Sequence, residues 1–252
     1  MSLFEVTGLK KVYASKFSTI KVEALKEITF SVEAGEFVAI MGESGSGKTT
    51  LLNILALLDR PTEGKILLND VDLGTIKENE MARFRRDNLG YIFQDYNLID
   101  NLTVKDNVLL PLVLKEESVK SMEEKLEPVL EKLNIEKLKN KYPYEISGGE
   151  GQRCAVARAL ITNPKIIFAD EPTGALDSRS ADRLLEQFVE INSTGQTILM
   201  VTHSIKAASY ATRVLFIKDG QVFHQIYKGN KSQDEMMEDI SNTMAQLGRG
   251  AQ

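Results

Sequence analysis

The octet Gly42-Glu43-Ser44-Gly45-Ser46-Gly47-Lys48-Thr49 constrains this chain more than any other feature. It fits the pattern G-x-x-x-x-G-K-[ST], in which glycines let consecutive backbone N–H groups turn inward around an anion. The flanks give the pattern its weight. A β-branched and aromatic run over residues 36–41 precedes it, and after it Leu51, Leu52, Leu55 and Leu58 recur at helical spacing until Pro61. Strand, glycine loop and helix start, in that order, set the positive end of a helix dipole behind a bound phosphate. Lys48 is expected to hold the β- and γ-phosphates of a nucleotide, and Thr49 to offer its hydroxyl to Mg²⁺. A glycine-rich turn matching by accident would lack these flanks.

A second chemical signal lies downstream. The apolar run Lys165-Ile166-Ile167-Phe168-Ala169 ends in Asp170 and Glu171. A buried strand of this kind presents its last residues at the edge where open α/β sheets bind ligands. Asp170 there suits a phosphate-bound Mg²⁺, and Glu171 could act as general base toward a water. Two acids capping a turn before Pro172 would be the plain alternative; the phosphate loop upstream weighs against it. A guanine-reading N-K-x-D motif is missing, which favours ATP over GTP.

Elsewhere the chain reads as alternating elements. Strands are expected at residues 3–7, 28–33, 65–68, 89–93 and 197–201, a helix at 180–192, and a hairpin over 214–227 turning at Asp219-Gly220. Between Thr103 and Leu160 the pattern is helical, with breaks expected at Pro111, Pro143 and Gly148-Gly149. Strands alternating with helices imply a parallel sheet covered on both faces, with the helical block inserted into it. Met236, Ile240, Met244 and Leu247 form a stripe expected to pack a C-terminal helix on its own domain.

Bulk properties exclude other classes. The 252 residues are 42% hydrophobic and 27% charged, an ordinary globular balance, and the net charge of −5 argues against nucleic acid as a partner. No apolar run approaches the roughly 18–20 residues of a membrane span. The opening MSLFEVTGLK lacks the build of a signal peptide. The single cysteine, Cys154, fits a reducing compartment and a small buried side chain.

The segment Ile146-Ser147-Gly148-Gly149-Glu150-Gly151-Gln152-Arg153 resembles the LSGGQ signature of ABC ATPases. Other family elements then match in order, over at least residues 3–228. Tyr13 falls where the family stacks an aromatic ring on adenine, Gln94 at the glutamine of the Q-loop, Ala175-Leu176-Asp177 at the D-loop, and His203 at the switch histidine. The resemblance implies a P-loop (RecA-like) ATPase core with an N-terminal antiparallel β subdomain and an inserted α-helical subdomain. The core is expected over 1–94 and 162–230, the helical subdomain over 95–161, and a helical tail over 231–252. It implies ATP and Mg²⁺ as cofactors, with Gly42, Ser44, Gly45, Ser46, Gly47, Lys48, Thr49 and Thr50 around the phosphates. Mg²⁺ would take Thr49, Gln94 and Asp170.

The family also implies a head-to-tail homodimer, in which Ser147, Gly148 and Gly149 of one chain close over the nucleotide of the other, with Asp177 alongside. Glu171, His203, Lys48 and Gln94 would be catalytic. A separate transmembrane permease would be the partner, with this chain peripheral on the cytoplasmic face of the membrane. Glu150 departs from the usual glutamine and is expected to face away or to pair with a neighbour such as Arg153.

Two further stretches select a branch. With residues 59–64 and 93–98 already resembling the lipoprotein-release, macrolide-efflux and peptide-antibiotic branch, residues 168–178 and 207–220 resemble the bacitracin-resistance ATPases of Gram-positive bacteria. The first of these two is shared with macrolide-efflux relatives, so the second carries most of the choice. Peptide-antibiotic resistance is the implied role. The rivals are a macrolide-efflux or lipoprotein-release ATPase, a soluble ABC ATPase of DNA repair or translation, and a sensor subunit with little transport. The repair and translation proteins carry coiled-coil arms or tandem ATPase halves, and neither is present here. His224 is expected at the surface, and Arg83, Arg85 and Arg86 on a solvated helix face.

Overall fold

Strand β3 (Phe37–Met41) has every side chain buried, as a parallel strand covered on both faces requires. The computed structural model describes residues 2–14 and 21–249; residues 1, 15–20 and 250–252, the last three being the end of the expected tail, lie outside the described residues. The chain divides into two compact units, Met1–Met81 with Asn192–Gln252, and Ala82–Ile191.

In the first unit β3 runs parallel to β8 (Thr197–Val201) on one side and to β9 (Arg213–Lys218) on the other. The hairpin partner β10 (Gln221–Tyr227) pairs antiparallel with β9, and Asp219 and Gly220 both take positive φ at the turn, as expected. A second, antiparallel sheet joins β1 (Ser2–Ala14), β2 (Lys21–Glu33), β4 (Glu63–Leu68) and the short β5 (Val71–Asp72) in the order β2-β1-β4-β5. This is the N-terminal β subdomain. Helix α1 (Lys48–Leu55) buries Leu51, Leu52, Ile54 and Leu55. It stops short of the expected run: Leu57 takes a left-handed φ of 57°, and Leu58 is 48% exposed instead of continuing the stripe.

Helix α2 (Glu78–Asn88) buries no side chain, but of the arginine cluster only Arg83 is exposed. Arg85 and Arg86 are half-buried, and Arg86 donates to Leu114 O at 2.6 Å instead of lying on a solvated face. In the second unit β6 (Leu89–Ile92) pairs parallel with β7 (Ile166–Asp170). Helices α3 (Val104–Val113), α4 (Val119–Lys132) and α5 (Gly148–Leu160) form the helical block, with α3 and α4 both packed on α5. Pro111 does not break α3. It lies in the last turn, where only one backbone bond is forfeited and the helix ends two residues later. The buried Asn107 closes the loop before α3, accepting from Ile99 N–H and donating to the carbonyls of Ile99, Leu102 and Thr103. Helix α6 (Ser178–Ser193) completes this unit's helices. The expected helical subdomain, 95–161, falls wholly inside the second unit, which also takes in β6, β7 and most of α6.

Back in the first unit, the four-residue α7 (Ile205–Ala208) is followed by the strands of the hairpin and by α8 (Gln233–Arg249). Met236, Ile240 and Leu247 are buried, Met244 is half-buried, and Thr243 joins the inner face, so the tail packs on its own domain. The chain thus has the expected α/β class, with parallel core strands around a phosphate loop, an antiparallel N-terminal sheet and a helical insert. None of the helices among the described residues is long and apolar enough to cross a membrane.

Candidate nucleotide site and signature segment

The loop leaving β3 is shaped by its glycines. Gly45 and Gly47 have φ of +79° and +98°, values that L side chains rarely adopt. A Cβ at Gly47 would lie 2.5 Å from Ala24 O, and one at Gly42 would lie 2.7 Å from Ser46 Oγ. The backbone therefore curls tightly against β2 before α1 begins at Lys48. Lys48 Nζ folds over the curl, donating to Gly42 O at 2.9 Å and Glu43 O at 2.8 Å, with Ser46 Oγ at 3.5 Å. The cation thus sits over the loop, and the first-turn N–H groups of α1 point the same way as the helix dipole. Thr49 is exposed on that turn, and Ser44 is exposed on the loop.

Tyr13, near the end of β1, is 44% exposed. Its hydroxyl donates to Asp59 Oδ2 at 2.9 Å, and Lys11 Nζ lies over the ring at 4.8 Å while bonding Asp59 Oδ1 at 2.7 Å. Burial, then the Asp59 hydrogen bond, raise the phenol pKa above the tyrosine range, and Thr50 of α1 also bonds the hydroxyl. Tyr13 and the phosphate loop are therefore neighbours. His203 is exposed, two residues beyond Val201, which pairs with Ile40 of β3. The switch-histidine position and the phosphate loop leave adjacent parallel strands at the same end.

The second unit repeats that arrangement. Ile92 of β6 pairs with Ala169 of β7, so Gln94 and Glu171 each follow two residues after paired positions. Asp170 is half-buried at the end of β7. Its charge, after burial, pushes the Tyr91 phenol well above the usual tyrosine range. Glu171 has φ of 45°, a strained value for a non-glycine residue that clusters at functional sites. Its carbonyl accepts Gly174 N–H at 2.9 Å, and a Cβ at Gly174 would meet Gln94 Nε2 at 3.2 Å. Gln94 is thereby set against the turn that follows Glu171.

Ser147 is the N-cap of α5, and its neighbours fix the segment. A Cβ on Gly148 would lie 2.7 Å from Tyr96 Oη, and one on Gly149 would lie 2.9 Å from Ser180 Oγ. Ser180 in turn bonds Asp177, whose carboxylate accepts from Arg179 N–H and Ser180 N–H at the start of α6. Those bonds, led by Ser180, hold the Asp177 carboxyl below the usual carboxylate range. Glu150 does not reach out to Arg153 as its main partner. It turns back to Ser147, completing a capping box that its sequence signature S-x-x-E permits.

Two residues that motif matching passed over tie this unit together. Gln152, fully buried, donates to Phe93 O at 3.2 Å and Pro172 O at 2.9 Å, joining the segment before Gln94 to the one after Glu171. Arg158 donates to Tyr96 O at 2.8 Å and Asn97 O at 2.6 Å, pinning two residues with positive φ. A glutamine at a buried position of a small-residue helix, Gly-Gly-x-Gly-Gln, was the available signal.

Comparison with known proteins agrees with this architecture. The family model described as ABC transporter matches residues 25–174. The chain belongs to the ABC transporter family. Its activity is ATP hydrolysis coupled to transport. The chain is 50% identical over 249 residues to the bacitracin export ATP-binding protein BceA of Halalkalibacterium halodurans, covering 98% of both. The macrolide export ATP-binding/permease protein MacB of Wolinella succinogenes is 40% identical over 223 residues, 88% of this chain but 34% of that protein. Among solved structures, the dimeric post-hydrolysis state of the ATP-binding cassette MJ0796 with ADP and Pi aligns with a TM-score of 0.80 at 37% identity, covering 89% of this chain and 98% of the other. These figures extend family membership well beyond the motifs themselves.

Proposed function

We propose that this chain is the ATPase subunit of a bacitracin-type peptide-antibiotic resistance transporter, acting as a head-to-tail homodimer beneath a separate permease at the cytoplasmic face of the membrane. The observation that carries the reading is the 50% identity to a bacitracin export ATP-binding protein across 98% of both chains. The identity to MacB favours macrolide efflux as the second reading.

In the proposed cycle Tyr13 stacks on adenine. Lys48 and the N–H groups of Gly42, Ser44, Gly45, Ser46, Gly47, Thr49 and Thr50 cradle the phosphates. Ser147, Gly148 and Gly149 of the partner chain meet the γ-phosphate, with Asp177 beside them. Water attacks the γ-phosphorus in line, the bond to the bridging β-oxygen breaks, and ADP and phosphate leave. Glu171 takes the proton of the attacking water, while His203 and Gln94 hold that water and the phosphate in position.

The donor set expected for Mg²⁺ is made of oxygens, the Thr49 hydroxyl, the Gln94 amide oxygen and the single Asp170 carboxylate. That suits an ion that arrives with the nucleotide and needs only one carboxylate plus phosphate oxygens. Thr49, Asp170 and Gln94 would hold it, and when bound it neutralises phosphate charge. A pull-down from membranes with the Glu171→Gln chain and ATP, followed by mass spectrometry, tests the partner. A polytopic permease supports the reading, and its genetic deletion should sensitise cells to bacitracin. A macrolide phenotype instead selects the second reading, and capture of no membrane protein refutes both.

A further inference from the structure

The signature segment carries a negative charge, and the charge holds the serine. Glu150 Oε2 accepts the Ser147 backbone N–H at 2.8 Å and the Ser147 hydroxyl at 2.9 Å, while Glu150 N–H points back to Ser147 Oγ at 3.4 Å. A serine hydroxyl has one proton to donate. In this structure that proton goes to a carboxylate, the stronger class of acceptor. The backbone bond from Ser147, foremost, holds Glu150 ionised at lower pH than an ordinary glutamate, with Arg153 and Lys141 adding their charge.

The surroundings leave little else to move. Tyr96 fills the space beside Gly148, and Ser180 the space beside Gly149, so the backbone is confined on both sides. Ser147 itself is exposed, and its side chain can exchange partners by rotation about χ1.

We infer that Glu150 is a positioning residue that withholds the Ser147 hydroxyl from the partner chain's γ-phosphate and so sets how readily the ATP-bound dimer closes. The inference rests on the shared-site reading above. Closure exchanges a carboxylate acceptor for a phosphate acceptor, and leaves the carboxylate close to the phosphate charge. Both effects oppose closure. The dimer formed by this chain is accordingly weaker than one in which the same position is uncharged.

The experiment uses the full chain with Glu171→Gln, Mg²⁺ and ATP, and reads the dimer dissociation constant by analytical ultracentrifugation. Adding Glu150→Gln is expected to tighten the dimer about tenfold, about 1.4 kcal/mol. ATP affinity of the monomer should stay as it was, since Glu150 belongs to the signature segment, which meets the other chain's nucleotide and not its own. The melting temperature should also hold, because the amide oxygen still accepts from Ser147 N–H. Glu150→Ala removes the cap and should lower the melting temperature, which separates capping from gating. An unchanged or weaker dimer with Glu150→Gln overturns the inference alone. No ATP-dependent dimer in the Glu171→Gln parent overturns the shared-site reading, and the inference falls with it.

Discussion

Gln152→Leu replaces a buried amide that bridges two carbonyls with an apolar side chain of similar reach. The substitution leaves Phe93 O and Pro172 O without their donor. A buried acceptor deprived of its partner costs about 1–3 kcal/mol; Pro172, which is buried, belongs near the upper end and the half-buried Phe93 near the lower. Against this, Gln152 Oε1 is itself buried with no partner among the described residues, and its removal returns about 1 kcal/mol. The net is a loss of about 3 kcal/mol, or roughly 6–12 °C in melting temperature for a chain of this size. Thermal unfolding followed by circular dichroism measures it. Because the amide ties the strand leading to Gln94 to the turn after Glu171, turnover should fall along with stability, even at temperatures where the variant is fully folded. A melting point within about 1 °C of the parent would mean that the two carbonyls find other donors at no cost, contrary to the bridging role of Gln152.

Gly47→Ala should cost about 3 kcal/mol at the loop, from an unfavourable positive φ and a contact of 2.5 Å with Ala24 O, and should weaken nucleotide binding on the order of 100-fold by equilibrium dialysis. Retention of full affinity would mean the loop need not hold this curl. Cys154 is fully buried and its thiol is pushed up to about 12, so a thiol reagent at neutral pH should label the native chain only through opening of the helical block. Labelling at the rate of a free thiol, followed by absorbance, would contradict that burial.

Much of this was legible in the residues. Alternating apolar runs gave the strands, and β8 falls on the expected 197–201, because a strand buried on both faces leaves an uninterrupted apolar word. The phosphate loop was legible because its glycines are needed at positive φ, which no other residue supplies cheaply. What escaped depends on contacts distant in sequence. Pro111 reads as a stop, yet its place in the final turn of α3 makes it tolerable. Leu58 fits the helical stripe, yet Leu57 turns the chain out of the helix first. Gln152 and Tyr96 look like ordinary polar residues until the fold brings Phe93, Pro172 and Gly148 around them. Glu150 was visible as a departure, but its partner was not: only the local geometry shows that it caps the helix through Ser147.

A site in which two copies of this chain share each ATP, with Glu171 activating the water, makes two measurable demands on one variant. The most direct test measures ATP turnover and ATP-dependent dimerisation of Glu171→Gln side by side with the parent. A shared site with Glu171 as base should lose turnover on the order of 10²–10⁴-fold in the variant, with ATP still bound and a stable dimer accumulating. Undiminished turnover, or ATP binding with no dimer at any concentration, would contradict it.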